Sequence, residues 1–176
     1  LALKVAKDSG ASAIKIQSYT PDTMTIASDK PDFKIRDGLW KGYTLYDLYK
    51  EAYTPFEWHE AMFKRAAEHG MTIFSTPFDE TAADMLDELG VPAFKIASFE
   101  IVDLELIAHV ASKNKPMIIS TGMANQDEIQ EAIDTAKSAG CEELAILHCV
   151  SGYPSPPENY NLRTIIDMLG RFGLVT

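Results

Sequence analysis

Short apolar segments alternate with amphipathic segments that end in glycine, and this alternation restricts the possible folds more than any other feature. The apolar runs span residues 13–19, 71–75, 93–98, 116–121 and 144–150, and a sixth begins near Leu174. Strands that alternate with helices indicate βαβ units and a parallel sheet. The spacing of roughly 25 residues per unit is typical of an α/β fold of the (β/α)₈ TIM-barrel type.

The helical segments carry recognisable start signals. Thr54-Pro55-Phe56-Glu57 has the pattern of a capping box with proline at the first helical position, and it predicts a helix that stops at Gly70. Four further positions are predicted N-caps of the later helices: Asp79, Asp103, Asn125 and Asn161.

Five complete units do not close an eight-stranded barrel, which needs on the order of 250 residues. The sequence begins without methionine inside a predicted helix and stops inside an apolar run. We therefore expect residues 1–176 to form one partial barrel domain, incomplete at both ends. An open doubly wound sheet is the alternative that the residue count permits.

Composition narrows the range of partners and compartments. The 176 residues are 46% apolar, which suits one well-buried core, and the net charge of −10 disfavours nucleic acid or anionic membranes as partners. No apolar run approaches the length of a membrane span. Cys141 and Cys149 are too few for a disulfide framework, and they predict reduced, buried thiols in a cytoplasmic protein.

One connection, residues 19–54, is much longer than the others. It is rich in aromatic residues, with Phe33, Trp40, Tyr43 and Tyr46, so that disorder is not expected. Long loops in compact domains are usually functional. A substrate lid is the leading interpretation, and a loop that packs on the barrel rim or on another subunit is the alternative.

Two strands place a lysine on the face opposite their apolar residues. In residues 13–17 the isoleucines share one face and Lys15 and Gln17 the other, and in residues 93–98 Lys95 lies opposite Phe94 and Ile96. Both lysines are therefore predicted to point toward the barrel axis. Buried lysines indicate an anion site or a reactive amine. Structural ion pairs with carboxylates are the alternative.

Small hydroxyl residues follow several strands at the same predicted end. They occur in Ser75-Thr76, Ser98-Phe99-Glu100, Ser120-Thr121-Gly122 and Ser151-Gly152-Tyr153. Hydroxyls and free backbone N–H groups at strand ends suit phosphate binding. Glu100 is a candidate for proton exchange with a substrate or for pairing with Lys95.

The histidines do not predict a metal site. His148 lies in a strand and is interpreted as a hydrogen-bonded core residue rather than a metal ligand. Three others lie in helical segments and are predicted to be at the surface: His59, His69 and His109. No cysteine or histidine cluster has the spacing of a metal site.

Several motifs, taken together, resemble the sialic acid synthase family over nearly the whole chain. They are Lys-Ile-Gln at 15–17, Ser-Thr-Pro-Phe-Asp at 75–79, Lys-Ile-Ala-Ser-Phe-Glu at 95–100, Ser-Thr-Gly-Met at 120–123 and Leu-His-Cys at 147–149. A second set resembles the pseudaminic acid synthase branch: residues 29–33, 38–40, 54–59 and 161–165.

The resemblance implies a transferase that condenses phosphoenolpyruvate with 2,4-diacetamido-2,4,6-trideoxy-altrose, in nonulosonic acid biosynthesis, and releases phosphate. It implies that Lys15 and Lys95 hold the carboxylate and phosphate of phosphoenolpyruvate, with Glu100 as the proton-transfer group. Further residues would complete the binding of the two substrates: Thr76, Ser98, Ser120 and Ser151 around phosphoenolpyruvate, and Gln17 and Tyr153 toward the sugar. Ser151 stands where the sialic acid branch has asparagine, so its contact is expected to be weaker.

The resemblance also implies parts that this sequence lacks. A divalent metal, Mn²⁺ or Mg²⁺, would be held by two histidines of the last barrel strands and by an acidic residue of the first strand. An antifreeze-like C-terminal domain would reach into the partner subunit of a homodimer. We therefore expect residues 1–176 to be inactive by themselves.

Three alternatives remain at the level of sequence. An N-acetylneuraminate or legionaminate synthase of the same family differs in the sugar it uses. A Schiff-base aldolase would use Lys15 or Lys95 as a nucleophile. A non-catalytic phosphate-binding module would keep the anion site alone.

Overall fold

The computed structural model describes residues 2–176 and contains one five-stranded parallel sheet. Its strands are β1 (Ala13–Ser18), β2 (Thr72–Pro77), β3 (Phe94–Ile96), β4 (Met117–Ser120) and β5 (Leu144–Leu147). A parallel bridge between Ala145 and Val175 places the sixth predicted run next to β5. The predicted strand segments are confirmed, with ends that differ by a few residues.

Strand order distinguishes the barrel from the doubly wound alternative. The order in the sheet is β1-β2-β3-β4-β5, so each strand pairs with the next one in the chain. A doubly wound sheet reverses direction at a switch point, whereas a TIM-type barrel adds its strands in sequence. The sheet therefore has the topology of consecutive barrel units.

Eight α-helices accompany these strands within the described residues. They are α1 (Ala2–Asp8), α2 (Pro21–Met24), α3 (Leu45–Ala52), α4 (His59–Glu68), α5 (Glu80–Glu88), α6 (Leu104–Ala111), α7 (Gln126–Ser138) and α8 (Arg163–Phe172). Three predicted N-caps are confirmed by side chains that accept backbone hydrogen bonds: Asp79 from Ala82, Asp103 from Leu106 and Asn125 from Asp127 and Glu128.

Two predicted caps are wrong. Thr54 does not cap a helix, because Phe56–Trp58 forms a 3₁₀ turn and α4 begins only at His59. Asn161 has a left-handed backbone with a φ of 46°, and its side chain donates to the carbonyl of Asn159 instead. Both segments are tight turns in which local backbone hydrogen bonds replace the side-chain cap.

The main apolar core lies between β3–β5 and the helices that cover them. Its fully buried members run from Ala83 to Met168 and include Phe94, Ile96, Ile119 and Ile146. The helices α1 and α3 contain no buried residue. The core therefore supports the later strands far more than it supports β1.

The long connection is folded. It contains α2, a 3₁₀ turn at Pro31–Phe33 and α3, and α2 packs against α3. The hydroxyl of Tyr46 donates a hydrogen bond to Asp22 at 3.1 Å, which joins the two helices. Leu39 and Trp40 at the tip are exposed.

Candidate active site

All the predicted site residues line one cavity of about 640 Å³ at the carboxyl ends of the strands. The cavity walls include Lys15 and Gln17 of β1, Thr76 of β2, Lys95 of β3, Ser98, Glu100, Ser120 of β4, Ser151 and Tyr153. Parallel strands bring their carboxyl ends to one edge, which explains why residues up to 138 positions apart share one cavity. The structure shows their proximity, and their roles in binding and catalysis remain predictions.

Lys95 is the buried cation of this cavity. It is 8% exposed, and its ammonium group donates to the carbonyl of Ile96 at 2.6 Å and to the hydroxyl of Ser120. The thiol of Cys149 lies 3.2 Å from the same hydroxyl. The pKa of Lys95 is lowered to about 8, chiefly by burial and to a smaller extent by the charge of Lys15, while Cys149 and Glu100 oppose the shift.

Lys15 faces the same cavity but is exposed, so the prediction that both lysines are buried is wrong for this residue. The reason is the position of β1, which pairs only with β2 within residues 2–176 and has no neighbouring strand on its other side. Surrounding atoms still remove part of its hydration, which lowers the pKa of Lys15.

Neither lysine is paired with a carboxylate of residues 2–176. The ion pairs found among residues 2–176 involve Lys4, Arg36, Arg65, His109, Lys113, Lys115 and Arg171. The alternative of structural ion pairs with carboxylates is therefore not observed for Lys15 and Lys95 within residues 2–176. A buried cation without a counterion is costly, and an anionic ligand would offset this cost.

Glu100 is a half-buried carboxyl group that faces the cavity. One of its oxygens is buried and has no hydrogen-bond partner within the described residues, and no ion pair with Lys95 forms there. Burial raises the pKa of Glu100, and nearby Asp103 raises it further, while a backbone hydrogen bond and Lys95 oppose the shift. A carboxyl group tuned in this direction is suited to exchange protons closer to neutral pH.

Gly122 brings the ends of β4 and β5 into close contact. Its N–H donates to the hydroxyl of Ser98 at 3.3 Å. A Cβ atom at this position would lie 2.5 Å from Oγ of Ser151 and 3.0 Å from the carbonyl oxygen of Cys149. Only glycine therefore lets Ser98 and Ser151 approach the same part of the cavity. Tyr153, in contrast, is 93% exposed at its rim.

Sequence reasoning missed several residues of the cavity. Met24, Tyr49 and Phe78 line it, and so does Cys149. The tyrosine and methionine come from α3 and α2, whereas the aromatic residues that had suggested a lid do not line it: Phe33, Trp40, Tyr43 and Tyr46. The Leu-His-Cys motif offered a signal for Cys149, but nothing local marked Met24 or Tyr49.

His59 corrects the prediction of surface histidines, because it is fully buried. Its Nε2 lies 2.6 Å from the hydroxyl of Ser18, which lies 2.7 Å from that of Ser75. Its Nδ1 lies 3.1 Å from the carbonyl of Pro55, which can only accept, so Nδ1 carries the proton. Burial lowers the pKa of His59, which favours the neutral ring. This network joins β1, β2 and α4.

The described residues do not form a metal site. No group of three or more His, Cys, Asp or Glu residues between positions 2 and 176 is placed to hold an ion. His148 makes the predicted hydrogen bond, since its Nε2 lies 2.7 Å from the carbonyl of Tyr160, but it is only half-buried and lies one residue beyond β5, so its prediction as a core residue of a strand is wrong. Both cysteines are free thiols, and Cys141 is buried as predicted, whereas Cys149 is only half-buried. No helix in this part of the chain has the length and apolar character to cross a bilayer.

Comparison with known proteins links this cavity to a family. The model of the NeuB family matches residues 2–176. The pseudaminic acid synthase of Helicobacter pylori is 42% identical over 172 residues, covering 98% of this chain and 51% of that protein. The N,N'-diacetyllegionaminic acid synthase of Legionella pneumophila is 35% identical over 174 residues, covering 96% and 49%.

A solved structure gives the same relation in three dimensions. The N-acetylneuraminic acid synthetase of Leptospira borgpetersenii, in complex with citrate, superposes with a TM-score of 0.84 at 27% identity, covering 98% of this chain and 55% of that one. The chain spans about half the length of the relatives it matches. The fold is thus of the TIM-barrel type, as predicted.

Proposed function

Because the chain belongs to the NeuB family, we propose that the complete polypeptide is a pseudaminic acid synthase. It would condense phosphoenolpyruvate with 2,4-diacetamido-2,4,6-trideoxy-altrose to give a nonulosonic acid and phosphate. The observation that carries this proposal is the pair of lysines, Lys15 and Lys95, that face one cavity and have no carboxylate partner among the described residues. In a protein with a net charge of −10, this cavity is a local site for a small anion.

The reaction forms a carbon–carbon bond and a bond from C2 to the oxygen of water, and it breaks the bond from C2 to the phosphate oxygen. C3 of phosphoenolpyruvate attacks the aldehyde carbon of the open-chain sugar, water adds to C2, and the C2–O bond breaks as phosphate leaves. Lys15 and Lys95 would hold the carboxylate and phosphate, where partial removal of water strengthens each charged contact. The hydroxyls of Thr76, Ser98 and Ser120 would donate to the same anion, and Ser151 would add a weaker contact.

Proton transfer is assigned to Glu100. Its raised pKa and its unpartnered oxygen support a group that takes or gives a proton at the reacting sugar oxygen. Gln17 and Tyr153 would contact the sugar, because they lie at the side and rim of the cavity.

A divalent metal, Mn²⁺ or Mg²⁺, is part of the proposal only as a requirement of the complete enzyme. When bound, it would polarise the aldehyde and lower the pKa of the attacking water. Residues 2–176 do not supply a ligand set, so we propose that its ligands lie in other parts of the polypeptide. A homodimer and a cytoplasmic location are likewise proposals, as is the inactivity of residues 1–176 by themselves.

One observation favours a second function. A lysine with a pKa of about 8 is a better nucleophile than an ordinary one, as a Schiff-base aldolase requires. Borohydride trapping with pyruvate separates the two, since a stable adduct on Lys95 or Lys15 supports the aldolase.

The test of the main proposal is phosphate release from phosphoenolpyruvate by the complete polypeptide with Mn²⁺. We expect release with the altrose-derived sugar and little with N-acetylmannosamine. Release only with N-acetylmannosamine would keep the family and assign the N-acetylneuraminate branch. Binding of phosphoenolpyruvate without turnover on either sugar, or on the legionaminate precursor, would indicate a binding module.

A further inference from the structure

The cavity has an apolar side that the proposed chemistry does not use. Met24, Tyr49 and Phe78 line it, and all three are half-buried. They come from α2, from α3 and from the residue after β2. The cationic groups Lys15 and Lys95 belong to the same cavity. The two lysines and the three apolar residues therefore come from different segments of the chain.

This apolar side is held by contacts behind it. Tyr19 is buried and meets the rings of Tyr49 and Phe78 edge-on, with ring centres 5.8 Å and 5.5 Å apart. Such edge-to-face pairs are a favourable aromatic geometry. The hydrogen bond from Tyr46 to Asp22 joins the helices that carry Tyr49 and Met24. The apolar residues are thus positioned before any ligand arrives.

The lysines and the apolar residues lie on different sides of the cavity, and this arrangement favours a different substrate on each side. A carboxylate or phosphate against Met24, Tyr49 and Phe78 would lose water without gaining a partner, whereas at Lys15 and Lys95 it gains charged hydrogen bonds. The anionic substrate therefore belongs on the lysine side. The apolar side remains for an uncharged molecule with non-polar groups, and aromatic and thioether side chains suit methyl groups and the faces of sugar rings.

We propose that Met24, Tyr49 and Phe78 form a specificity wall that contacts the methyl groups of the sugar substrate, either on an acetamido group or at a deoxygenated C6. This inference rests on the proposed synthase function. In this proposal the long connection contributes to sugar specificity through α2 and α3, which lie near its two ends. Its exposed tip has no part in this role.

The test uses Met24→Gln in the complete polypeptide, because glutamine is close to methionine in size but places an amide against the substrate. We expect the KM for the altrose-derived sugar to rise about 10-fold, as for the loss of a methyl-sized apolar contact. The KM for phosphoenolpyruvate should stay within about 2-fold, and Met24→Leu should restore sugar use.

Ile26→Gln is the matched control, since Ile26 lies two residues away on the same connection, is exposed and does not line the cavity. It should leave both KM values unchanged. Two results would contradict the proposed specificity wall. In one, Met24→Gln leaves the KM for the sugar unchanged. In the other, it raises the KM values for the sugar and for phosphoenolpyruvate equally. A wild-type enzyme that releases no phosphate with any acetamido sugar would overturn the proposed function, and the wall with it.

Discussion

The β3–β5 side of the sheet and the β1 side face the same cavity, but they are packed differently. Phe94 and Ile96 of β3 are fully buried in the main core. On the β1 side, α1 and α3 bury no residue, and the buried contacts include the Ser18–His59–Ser75 hydrogen bonds and the edge-on ring of Tyr19. The later strands thus rest on the main apolar core, and polar and aromatic contacts add to the pairing of β1 with β2.

The two lysines of the cavity show the same difference in burial. Lys95 on the central strand β3 is buried, whereas Lys15 on the edge strand β1 is exposed. Within residues 2–176, the two ammonium groups of this cavity therefore differ in their exposure to water. Charge contacts are stronger where water is excluded, so Lys95 is expected to contribute more than Lys15 to holding an anion.

The largest effect is expected from the core on the β3 side. Phe94→Ala removes a ring that is fully buried and should lower the free energy of unfolding by about 3–5 kcal/mol. Val5→Ala in α1, where the side chain is 54% exposed, should change it by less than about 0.5 kcal/mol. Urea unfolding of both variants measures the contrast. Equal losses would contradict the difference in packing.

The two lysines provide the next comparison. Lys95→Ala should lower kcat/KM for phosphate release by about 10²–10³-fold, because a pre-positioned charge in a dry site is lost. In the complete polypeptide, Lys15→Ala should lower it less, because Lys95 is the lysine that hydrogen bonds to Ile96 and Ser120 hold in position. Lys113→Ala, which removes a cation paired with Asp84 outside the cavity, is the control. Wild-type activity of Lys95→Ala would contradict the site.

A third comparison concerns the polar network that joins β1 to β2. Ser18→Ala leaves the buried Nε2 of His59 without its partner, so the free energy of unfolding should fall by about 1–3 kcal/mol. Ser28→Ala, in the exposed connection, should leave it unchanged within about 0.5 kcal/mol. Thermal or urea unfolding measures both. No loss in Ser18→Ala would show that β1 is held by other contacts.

The low pKa of Lys95 predicts a pH dependence. With a pKa of about 8 in the free protein, Lys95 is mostly charged below this pH and loses its proton above it. The kcat/KM for phosphoenolpyruvate should therefore fall on the alkaline side, approaching about tenfold per pH unit. Lys95→Arg stays charged, so any activity it retains should lack this limb. If kcat/KM of Lys95→Arg fell at high pH in the same way as that of the wild type, the titration would belong to another group.

The smallest effect is expected at the tip of the long connection. Trp40 is 48% exposed and does not line the cavity, so Trp40→Ala should change the KM of either substrate by less than about 2-fold. Steady-state kinetics with each substrate varied in turn gives both values. A loss confined to the sugar would support the hypothesis that the tip closes over the cavity as a lid.

Local signals account for the parts of the molecule that the sequence predicted well. Alternation along a strand placed Lys95 opposite Phe94, and Asp79, Asp103 and Asn125 cap helices because the signal and the hydrogen bond lie within three residues of each other. The site residues fall together because every parallel strand ends at the same edge of the sheet.

The remaining features depend on contacts between distant segments. The exposure of Lys15 follows from the single neighbour of β1, and the burial of His59 follows from the packing of α4 against β1 and β2. The sequence around residue 59 shows the start of a helix but not the surface it covers. In the same way, Met24 and Tyr49 reach the cavity only because the connection folds back over the end of β1.

The central claim is that Lys15 and Lys95 together hold an anionic substrate, and a crystal structure of the complete polypeptide with phosphoenolpyruvate tests it most directly. The account predicts electron density for the ligand between the two lysines, with charged N–O contacts of about 2.7–2.9 Å and Ser120 beside them. Phosphoenolpyruvate bound elsewhere, with both lysines free of it, would contradict the account.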